Sequence, residues 1–286
     1  MAGKSVSESY IVWAIVLTAL LSAVYLGYVY TDAAYGITVP ALILLGFALA
    51  VIDTSIGMGF GTLGSPLLLI AGFTSTVAVP AVLVAQLLSA LVGSVFHRRY
   101  KHADVLNPKK RESKIAVAMV GLGMVGAVIG VLLAIKLPSM YVSTYIGLLV
   151  IVMGVVLISR PKTTFSWMKL YVLSAISGFN KAISGGGYGP VSTTGLMASG
   201  NEAKNSIGIT VFSVAIINLV SIGAYLLTGS ITGFYMIEAM SLGAVIGAVV
   251  GPRVTRRTQL GGKAYMLGVM AVILGAITIA TTFVKV

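Results

Sequence analysis

The chain of 286 residues is 58% hydrophobic and 9% charged, with 19 Lys and Arg against 7 Asp and Glu. Soluble globular proteins carry about 25% charged residues, so these few charges cannot cover the surface of a 29.6 kDa globule. Glycine is frequent, at 34 residues, and small residues let helices pack closely in a bilayer. The composition excludes a soluble protein and predicts an all-α polytopic membrane protein.

Two further function classes are disfavoured by the same composition. The chain has no cysteine, which removes disulfides, thiolate catalysis and cysteine-based metal sites. The net charge of +12 does not indicate nucleic-acid binding, because the basic residues lie between apolar segments rather than in a patch interleaved with aromatic residues. We expect membrane lipid as a partner, and no nucleic acid, metal or cofactor.

Seven uncharged or nearly uncharged segments reach the roughly 20 residues that cross the hydrocarbon core of a bilayer. In chain order they are Tyr10–Tyr30, Val77–Phe96, Ile115–Ile135, Met140–Ser159, Ser206–Leu227, Ile231–Val250 and Ala264–Val284. The first is longer than the apolar core of a signal peptide, so we interpret residues 1–35 as a retained N-terminal transmembrane helix. Two more apolar stretches, Gly36–Gly72 and Trp167–Gly200, are each interrupted by glycines and one ionisable residue.

The basic residues predict the orientation in the cytoplasmic membrane. Three loops, His97–Lys114, Arg160–Lys169 and Gly251–Lys263, carry 14 of the 19 Lys and Arg and should be cytoplasmic, together with the N-terminus. A full crossing at Trp167–Gly200 would put these loops on opposite sides, so parity favours a re-entrant hairpin there, with arms Trp167–Gly178 and Pro190–Gly200. A kinked helix that spans the membrane is the alternative.

Internal similarity divides the rest of the chain into residues 36–160 and 161–286. At an offset of 128, Gly57–Gly61 aligns with Gly185–Gly189. In the next helices the offset is 117, which aligns Val125–Gly130 with Leu242–Gly247, and then 121. Each unit is a broken segment plus three helices. If both broken segments are hairpins, three crossings per unit make the repeat inverted.

The two glycine breaks are candidate sites for an anion. Inverted repeats with broken helices that meet near the midplane are typical of secondary transporters. A helix that starts in the membrane offers unpaired N–H groups and the positive end of its dipole, and Pro190 is expected at the first position of such a helix. The candidate substrate-binding residues are Ser55, Gly57, Gly59, Gly61, Ser65, Asn180, Lys181, Ser184, Gly185, Gly186, Gly187, Tyr188, Ser192 and Thr193.

Lys181 and Asp53 occupy matching positions of the two breaks at the offset of 128. A lone charge in the membrane costs at least ~2.5 kcal/mol, so Lys181 should have a partner or line a wet cavity. We expect Lys181 to contact the anion; alternatively it pairs with Asp53, and an incoming anion could disrupt that resting ion pair. Glu238 is a candidate for proton coupling, with a shallow interfacial position as the alternative.

Other polar and small residues at membrane depth have a structural interpretation. Gln86 and Asn218 are expected to form hydrogen bonds between helices, and Asn180 alone is expected to line the site because it precedes Lys181. The glycine spacings in Gly126–Gly130 and Gly243–Gly251 predict close helix packing.

A membrane-embedded enzyme is the competing class, and it would need a nucleophile with a base, paired carboxylates or metal ligands. Both His97 and His102 fall in one basic loop, where a solvated position near lipid headgroups is expected rather than a metal site. Asp53 and Glu238 have no second acid nearby in sequence. These features predict that the protein is not an enzyme, whereas an anion channel stays open as an alternative.

With these motifs, residues 40 to 284 resemble the TauE/SafE family of sulfite and organosulfonate exporters. The resemblance rests on Asp53–Pro66 and Asn180–Pro190, each a glycine-rich break followed by a helix restart. The second half has the usual family pattern, with Gly178-Phe179, a glycine triplet and Pro190. The first half departs from it, because Met58 and Phe60 interrupt the glycines and Asp53 enters.

The resemblance implies transport, usually outward, of a small sulfur-containing anion such as sulfite or a sulfonate. Thiosulfate stays open as a substrate, and alternating access is the mechanism that an inverted repeat predicts. An anion that leaves a negative interior gains about 2.3 kcal/mol per charge per 100 mV, so export could run uncoupled. The alternative is a H⁺- or Na⁺-coupled importer of a similar oxyanion, in which Asp53 or Glu238 serves coupling. A homo-oligomer is possible.

Overall fold

The computed structural model describes residues 39–159, 164–257 and 260–284. The N-terminal helix predicted at Tyr10–Tyr30 lies outside these residues. The described part of the chain forms ten α-helices in two sets of five. The first set is α1 (Val39–Ile56), α2 (Phe60–Ile70), α3 (Ser75–Arg99), α4 (Arg111–Ala134) and α5 (Ser139–Ser159). The second set is α6 (Trp167–Ser184), α7 (Tyr188–Ala198), α8 (Ala203–Leu227), α9 (Phe234–Arg257) and α10 (Leu260–Val284).

Within the described residues, seven helices are long and apolar enough to cross a membrane: α1, α3, α4, α5, α8, α9 and α10. Six of them match the predicted spans that fall in the described part of the chain, although α4 ends one residue before Ile135 and α9 begins three residues after Ile231, so the all-α polytopic fold is confirmed. The seventh, α1, was predicted only as part of a broken stretch. Its 18 residues extend about 27 Å at 1.5 Å per residue.

The helix bounds repeat with the glycine pattern. The bounds of α6, α7 and α8 follow those of α1, α2 and α3 at the offset of 128. The breaks are residues 57–59 and 185–187, and both contain glycines with positive φ, such as Gly57 at 75° and Gly185 at 73°. L residues with a side chain rarely adopt this conformation, which is why the helices stop there.

The predicted arms of the second hairpin were wrong in extent. The first arm continues past Gly178 to Ser184, and the second begins at Tyr188, so Pro190 is its third residue rather than its first. Gly178 does not break the helix because it is a packing residue: a Cβ there would lie 2.0 Å from the carbonyl oxygen of Gly123 in α4.

Glycines allow close packing in two equivalent contacts between the sets, each of which joins a helix of one set to a helix of the other. In the α4–α6 contact, Gly126 lies against the Ala175 carbonyl, and in the α1–α9 contact, Gly247 lies against the Phe47 carbonyl. This confirms the packing role predicted for these glycines. Because Ala175 and Phe47 are 128 apart, Gly126 corresponds to Gly247, an offset of 121. The offset of 117 taken from the sequence match was therefore wrong by one helical turn.

Contacts at the helix ends show which way each element runs. Gly147 meets Gly275 and Gly154 meets Gly268, so the matching helices α5 and α10 are antiparallel. In the first set, α1 runs parallel to α9, and Gly233, just before α9, lies beside Val77 at the start of α3. Thus α1 and α3 begin at the same end of the helix bundle, and α2 carries the chain from the break back to that end.

Candidate anion site

The two breaks touch each other through their backbones. A Cβ at Gly61 would lie 1.6 Å from the Gly185 carbonyl oxygen, and a Cβ at Gly189 would lie 2.6 Å from the Gly57 carbonyl oxygen. Gly61 and Gly189 are equivalent in the repeat, so the contact is reciprocal. Glycine is required at both positions because no side chain fits between the two backbones. Residues predicted from separate halves of the sequence therefore meet at one place.

Asp53 is built into the first break. The buried Asp53 carboxylate accepts the backbone N–H of Phe60 at 3.1 Å, which satisfies one of the unpaired donors at the start of α2. Its second oxygen accepts the side-chain amide of Gln86, in α3, at 2.8 Å. A carboxylate at a helix start is also favoured by the helix dipole. The Asp53 side chain therefore places a carboxylate of the protein itself at the first break.

Lys181 lies at the second break, in the last turn of α6. Its side chain is 1% exposed, and its ammonium group donates to the side-chain carbonyl of Gln86 and to the backbone carbonyl of Gly185. Gln86 thus stands between the two charges, with its N–H₂ toward Asp53 and its oxygen toward Lys181. The alternative pairing of Lys181 with Asp53 is therefore mediated by this amide rather than made directly.

The repeat makes the two breaks similar in backbone and opposite in charge. At the position where Asp53 receives the first N–H of α2, the second break carries Lys181, and no side chain among the described residues caps the start of α7. Thr193 donates to the Gly57 carbonyl at 2.9 Å, whereas the Gly185 carbonyl is taken by Lys181. Ser65, the equivalent of Thr193, is left buried without a hydrogen-bond partner in the described structure.

The remaining candidate residues differ in how they are used. Ser55 bonds the Ile52 carbonyl at 2.9 Å, and Ser184 bonds the Asn180 carbonyl at 2.6 Å while accepting the Gly186 N–H. These bonds are local and hold the helix ends next to the breaks. Asn180 accepts a hydrogen bond from Tyr145 in α5.

Two more candidates lie at the start of α7, and Glu238 lies elsewhere. Tyr188 is fully buried with its hydroxyl near those of Ser192 and Ser213, and Ser192, one turn further along α7, is buried as well. Glu238 is on the exposed surface of α9, away from the buried charges, so the fold does not bring it to the breaks.

A family profile described as "Sulfite exporter TauE/SafE" matches residues 42–280. The chain belongs to this family. A relative described as "Probable membrane transporter protein YtnM", from Bacillus subtilis (strain 168), is 25% identical over 187 residues. The match covers 60% of this chain and 60% of the length of that relative. No solved structure gives a significant match.

The TauE/SafE chain has a second group of buried polar residues that was predicted incorrectly. His97 is 1% exposed rather than solvated; its Nδ1 lies 2.9 Å from Nδ1 of His102, and its Nε2 lies 2.8 Å from the Thr54 carbonyl oxygen. Thr255, in α9, donates to the Ser55 carbonyl at 2.8 Å. These bonds fix the end of α1 just before the first break. No local signal reveals them, because the partners lie 43 and 200 residues apart.

Gln86 is the residue of the candidate site that the sequence assigned to a different role. It was expected to bond between helices, and it does, but its two partners are the two charges of the site. An amide fits between opposite charges because it offers a donor on one side and an acceptor on the other. A glutamine within an apolar span is the available signal, although its partner Lys181 is 95 residues away.

Two small cavities approach the second break. One, of about 50 Å³, lies between α6 and α7, where Ser174 and Ser192 line it and Lys169 stands at the end with the basic loops. The other, of about 80 Å³, is reached from the starts of α3 and α5, and Ile183 and Tyr225 line it. The Tyr225 hydroxyl donates to the Ala182 carbonyl at 3.1 Å, which places this cavity one residue from Lys181. Neither cavity is lined by Lys181 itself.

Proposed function

We propose that this TauE/SafE membrane transporter carries a small sulfur-containing oxyanion, sulfite or an organosulfonate, and that Lys181 and the start of α7 bind it. The opposite charges at equivalent positions of the two breaks carry this proposal. In the first break a carboxylate occupies the helix start; in the second, a cation stands where that carboxylate would be. The positive charge at the second break is therefore complementary to an anion that binds reversibly.

The arrangement of the two units supports a mechanism of alternating access. We infer that they form an inverted repeat, because the equivalent helices α5 and α10 are antiparallel and each unit contributes one hairpin. Two similar halves of opposite orientation can exchange conformations and thereby open the site to either side. The cavities on opposite sides of the second break support this cycle, since each stops short of the buried Lys181.

The orientation proposed for the membrane puts the basic loops in the cytoplasm. The cytoplasmic side then holds the ends of α3 and α9, the starts of α4 and α6, and the link between α7 and α8. The hydrogen bond from Asn205 in α8 to Glu112 in α4 supports this placement. On this assignment the α6–α7 hairpin opens to the cytoplasm and the α1–α2 hairpin opens outward. The membrane is expected to be the cytoplasmic one.

Export is the direction that we propose, because the membrane potential already drives an anion outward by about 2.3 kcal/mol per charge per 100 mV. A second candidate is H⁺-coupled uptake. The buried carboxylate of Asp53 favours it, since an added anion would leave the site with excess negative charge unless a proton neutralised that carboxylate.

The test is electrogenic transport by purified protein in liposomes, with sulfite, sulfoacetate, taurine, sulfate or acetate gradients, with and without a pH or Na⁺ gradient. We expect current with one sulfur anion, independent of cation gradients, and loss of that current in Lys181→Met. Lys109→Met is the matched control, because Lys109 is an exposed lysine that lines neither cavity. Current that requires a proton gradient would support uptake instead. A current unaffected by Lys181→Met would refute the proposed site.

A further inference from the structure

Three buried polar side chains near Lys181 have no hydrogen-bond partner in the described structure. They are Ser89 in α3, Ser177 in α6 and Asn218 in α8, and each is 0% exposed. Both the amide oxygen and the amide nitrogen of Asn218 are unpartnered. Buried polar groups are costly when unpaired and the great majority in native proteins are paired, so three on helices that pack against one another require an explanation.

The register of α3 and α6 puts Ser89 opposite Ser177. Val82 lies beside Gly185, and Gln86 bonds Lys181, so the two helices run antiparallel in steps of four residues. The next step along α3 reaches Ser89, three residues after Gln86, and the next along α6 reaches Ser177, four residues before Lys181. Residues three and four apart share a helix face. Ser89 and Ser177 therefore lie on the facing sides of α3 and α6, one turn from the contact between Gln86 and Lys181, and their hydroxyls are not hydrogen-bonded to each other.

Asn218 comes to the same level from α8. Val211 lies beside Gly93 of α3, and the Tyr225 hydroxyl bonds the Ala182 carbonyl of α6. Asn218 is seven residues from each of them, which is two turns on the same face of α8. Its amide therefore lies on the face that runs between α3 and α6, level with the Gln86 to Ser89 turn.

We propose that Ser89, Ser177 and Asn218 form an oxyanion subsite that receives the oxygens of the substrate while its charge faces Lys181. This inference rests on the proposed function and adds where the anion sits: on the side of Lys181 toward the basic loops, between α3, α6 and α8. Two hydroxyl donors and one N–H₂ group suit a tetrahedral or pyramidal oxyanion, which has several acceptor oxygens.

The charge next to this subsite selects the class of ligand. The oxygens of the same three side chains could also coordinate Na⁺, but the Lys181 ammonium group lies one turn from Ser177 in the same helix, whereas the Asp53 carboxylate lies beyond the Gln86 amide. The nearer charge repels a cation and attracts an anion, which can also accept hydrogen bonds from all three groups. The subsite is therefore assigned to the anion rather than to a coupling ion.

The test measures sulfite affinity and thermal stability together, in purified protein. Asn218→Leu and Ser177→Ala should each weaken sulfite binding by about tenfold or more, the loss expected for a hydrogen bond to a charged ligand. In the absence of sulfite, the same variants should melt at the wild-type temperature or above, because each removes an unpaired polar group from the interior. Stability that falls while sulfite affinity is unchanged would show a structural role and overturn the proposal.

Matched variants separate this inference from the proposed function. Ser241→Ala removes another unpartnered buried hydroxyl, in α9 and outside the three helices, and should leave sulfite affinity unchanged. Weakened binding by Lys181→Met with full binding by Asn218→Leu and Ser177→Ala would refute the subsite and keep the proposed function. If the wild-type protein binds none of sulfite, sulfoacetate and sulfate, both fall together.

Discussion

Contact between the two breaks can be tested at Gly61 with a single methyl group. In Gly61→Ala, the new Cβ would lie 1.6 Å from the Gly185 carbonyl oxygen and 2.4 Å from its carbonyl carbon. Real Cβ contacts essentially never fall below 3.0 Å, so the two segments must separate by at least 1.4 Å, the difference between 3.0 and 1.6 Å. The obstacle is backbone, which cannot turn aside as a side chain can. We therefore expect both the fold and the site to be disturbed.

The magnitude follows from a comparison with Gly195→Ala. Overpacking a close-packed interior costs about 1–3 kcal/mol, while replacing glycine by alanine within a helix gains about 1 kcal/mol from propensity. Gly195 is also in a hairpin helix, α7, and a Cβ there meets nothing within 4 Å. The propensity gain is common to both variants and cancels in their difference. Gly61→Ala should therefore be about 1–3 kcal/mol less stable than Gly195→Ala.

The assay is reversible unfolding in detergent followed by circular dichroism, with anion flux in liposomes measured on the same preparations. Gly195→Ala should keep wild-type stability and flux. Gly61→Ala should lose stability, and its flux should fall because Gly185 neighbours the lysine contact. If the two variants unfold at the same denaturant concentration and transport equally, the breaks are not in contact and the reasoning about the site fails.

Two further predictions concern the charges and the topology. Gln86→Leu removes one hydrogen bond from each of the buried charges Asp53 and Lys181, so the free energy of unfolding should fall by about 3 kcal/mol or more, at about 1.5–3 kcal/mol for each lost bond to a charged group; wild-type stability in denaturant titration would contradict this. The chain has no native cysteine, so single cysteines report topology directly. Lys109→Cys and Glu202→Cys should react with an impermeant thiol reagent from the cytoplasmic side, and Thr74→Cys from the outside. Labelling of Glu202→Cys from the outside alone would rule out the re-entrant α6–α7 hairpin.

The apolar segments predicted the transmembrane helices well, because the length and hydrophobicity that cross a bilayer are local properties of the sequence. The end of α6 was missed because Gly178 was interpreted as a helix breaker. In a membrane helix the same residue permits close approach, and here it lies against α4. The repeat offset of 117 was wrong for a related reason: glycines recur every four residues in α9, so a sequence match cannot distinguish neighbouring turns.

The site was predicted in its parts but not in its connections. The glycine breaks, Asp53 and Lys181 stand out because charges and clustered glycines are rare in apolar sequence. The roles of Gln86, Asn218 and the pair of His97 and His102 do not stand out in the sequence, because they depend on partners in other helices. Asn218 was expected to bond between helices, yet it has no partner in the described structure. Only the packed helices distinguish an amide that joins two elements from one that is free to receive a ligand.

The charge difference between the breaks also bears on how many anions move in one cycle. Two identical breaks related by a twofold axis would offer two equal anion sites. Here Asp53 already fills the first, with hydrogen bonds to α2 and to Gln86, and a free anion there would meet a fixed negative charge. On the proposed function, the second break receives the external anion at Lys181 and the start of α7, while Asp53 keeps a second anion out of the first break. The exchange of acid for base between equivalent positions of the repeat therefore predicts a single substrate per transport cycle.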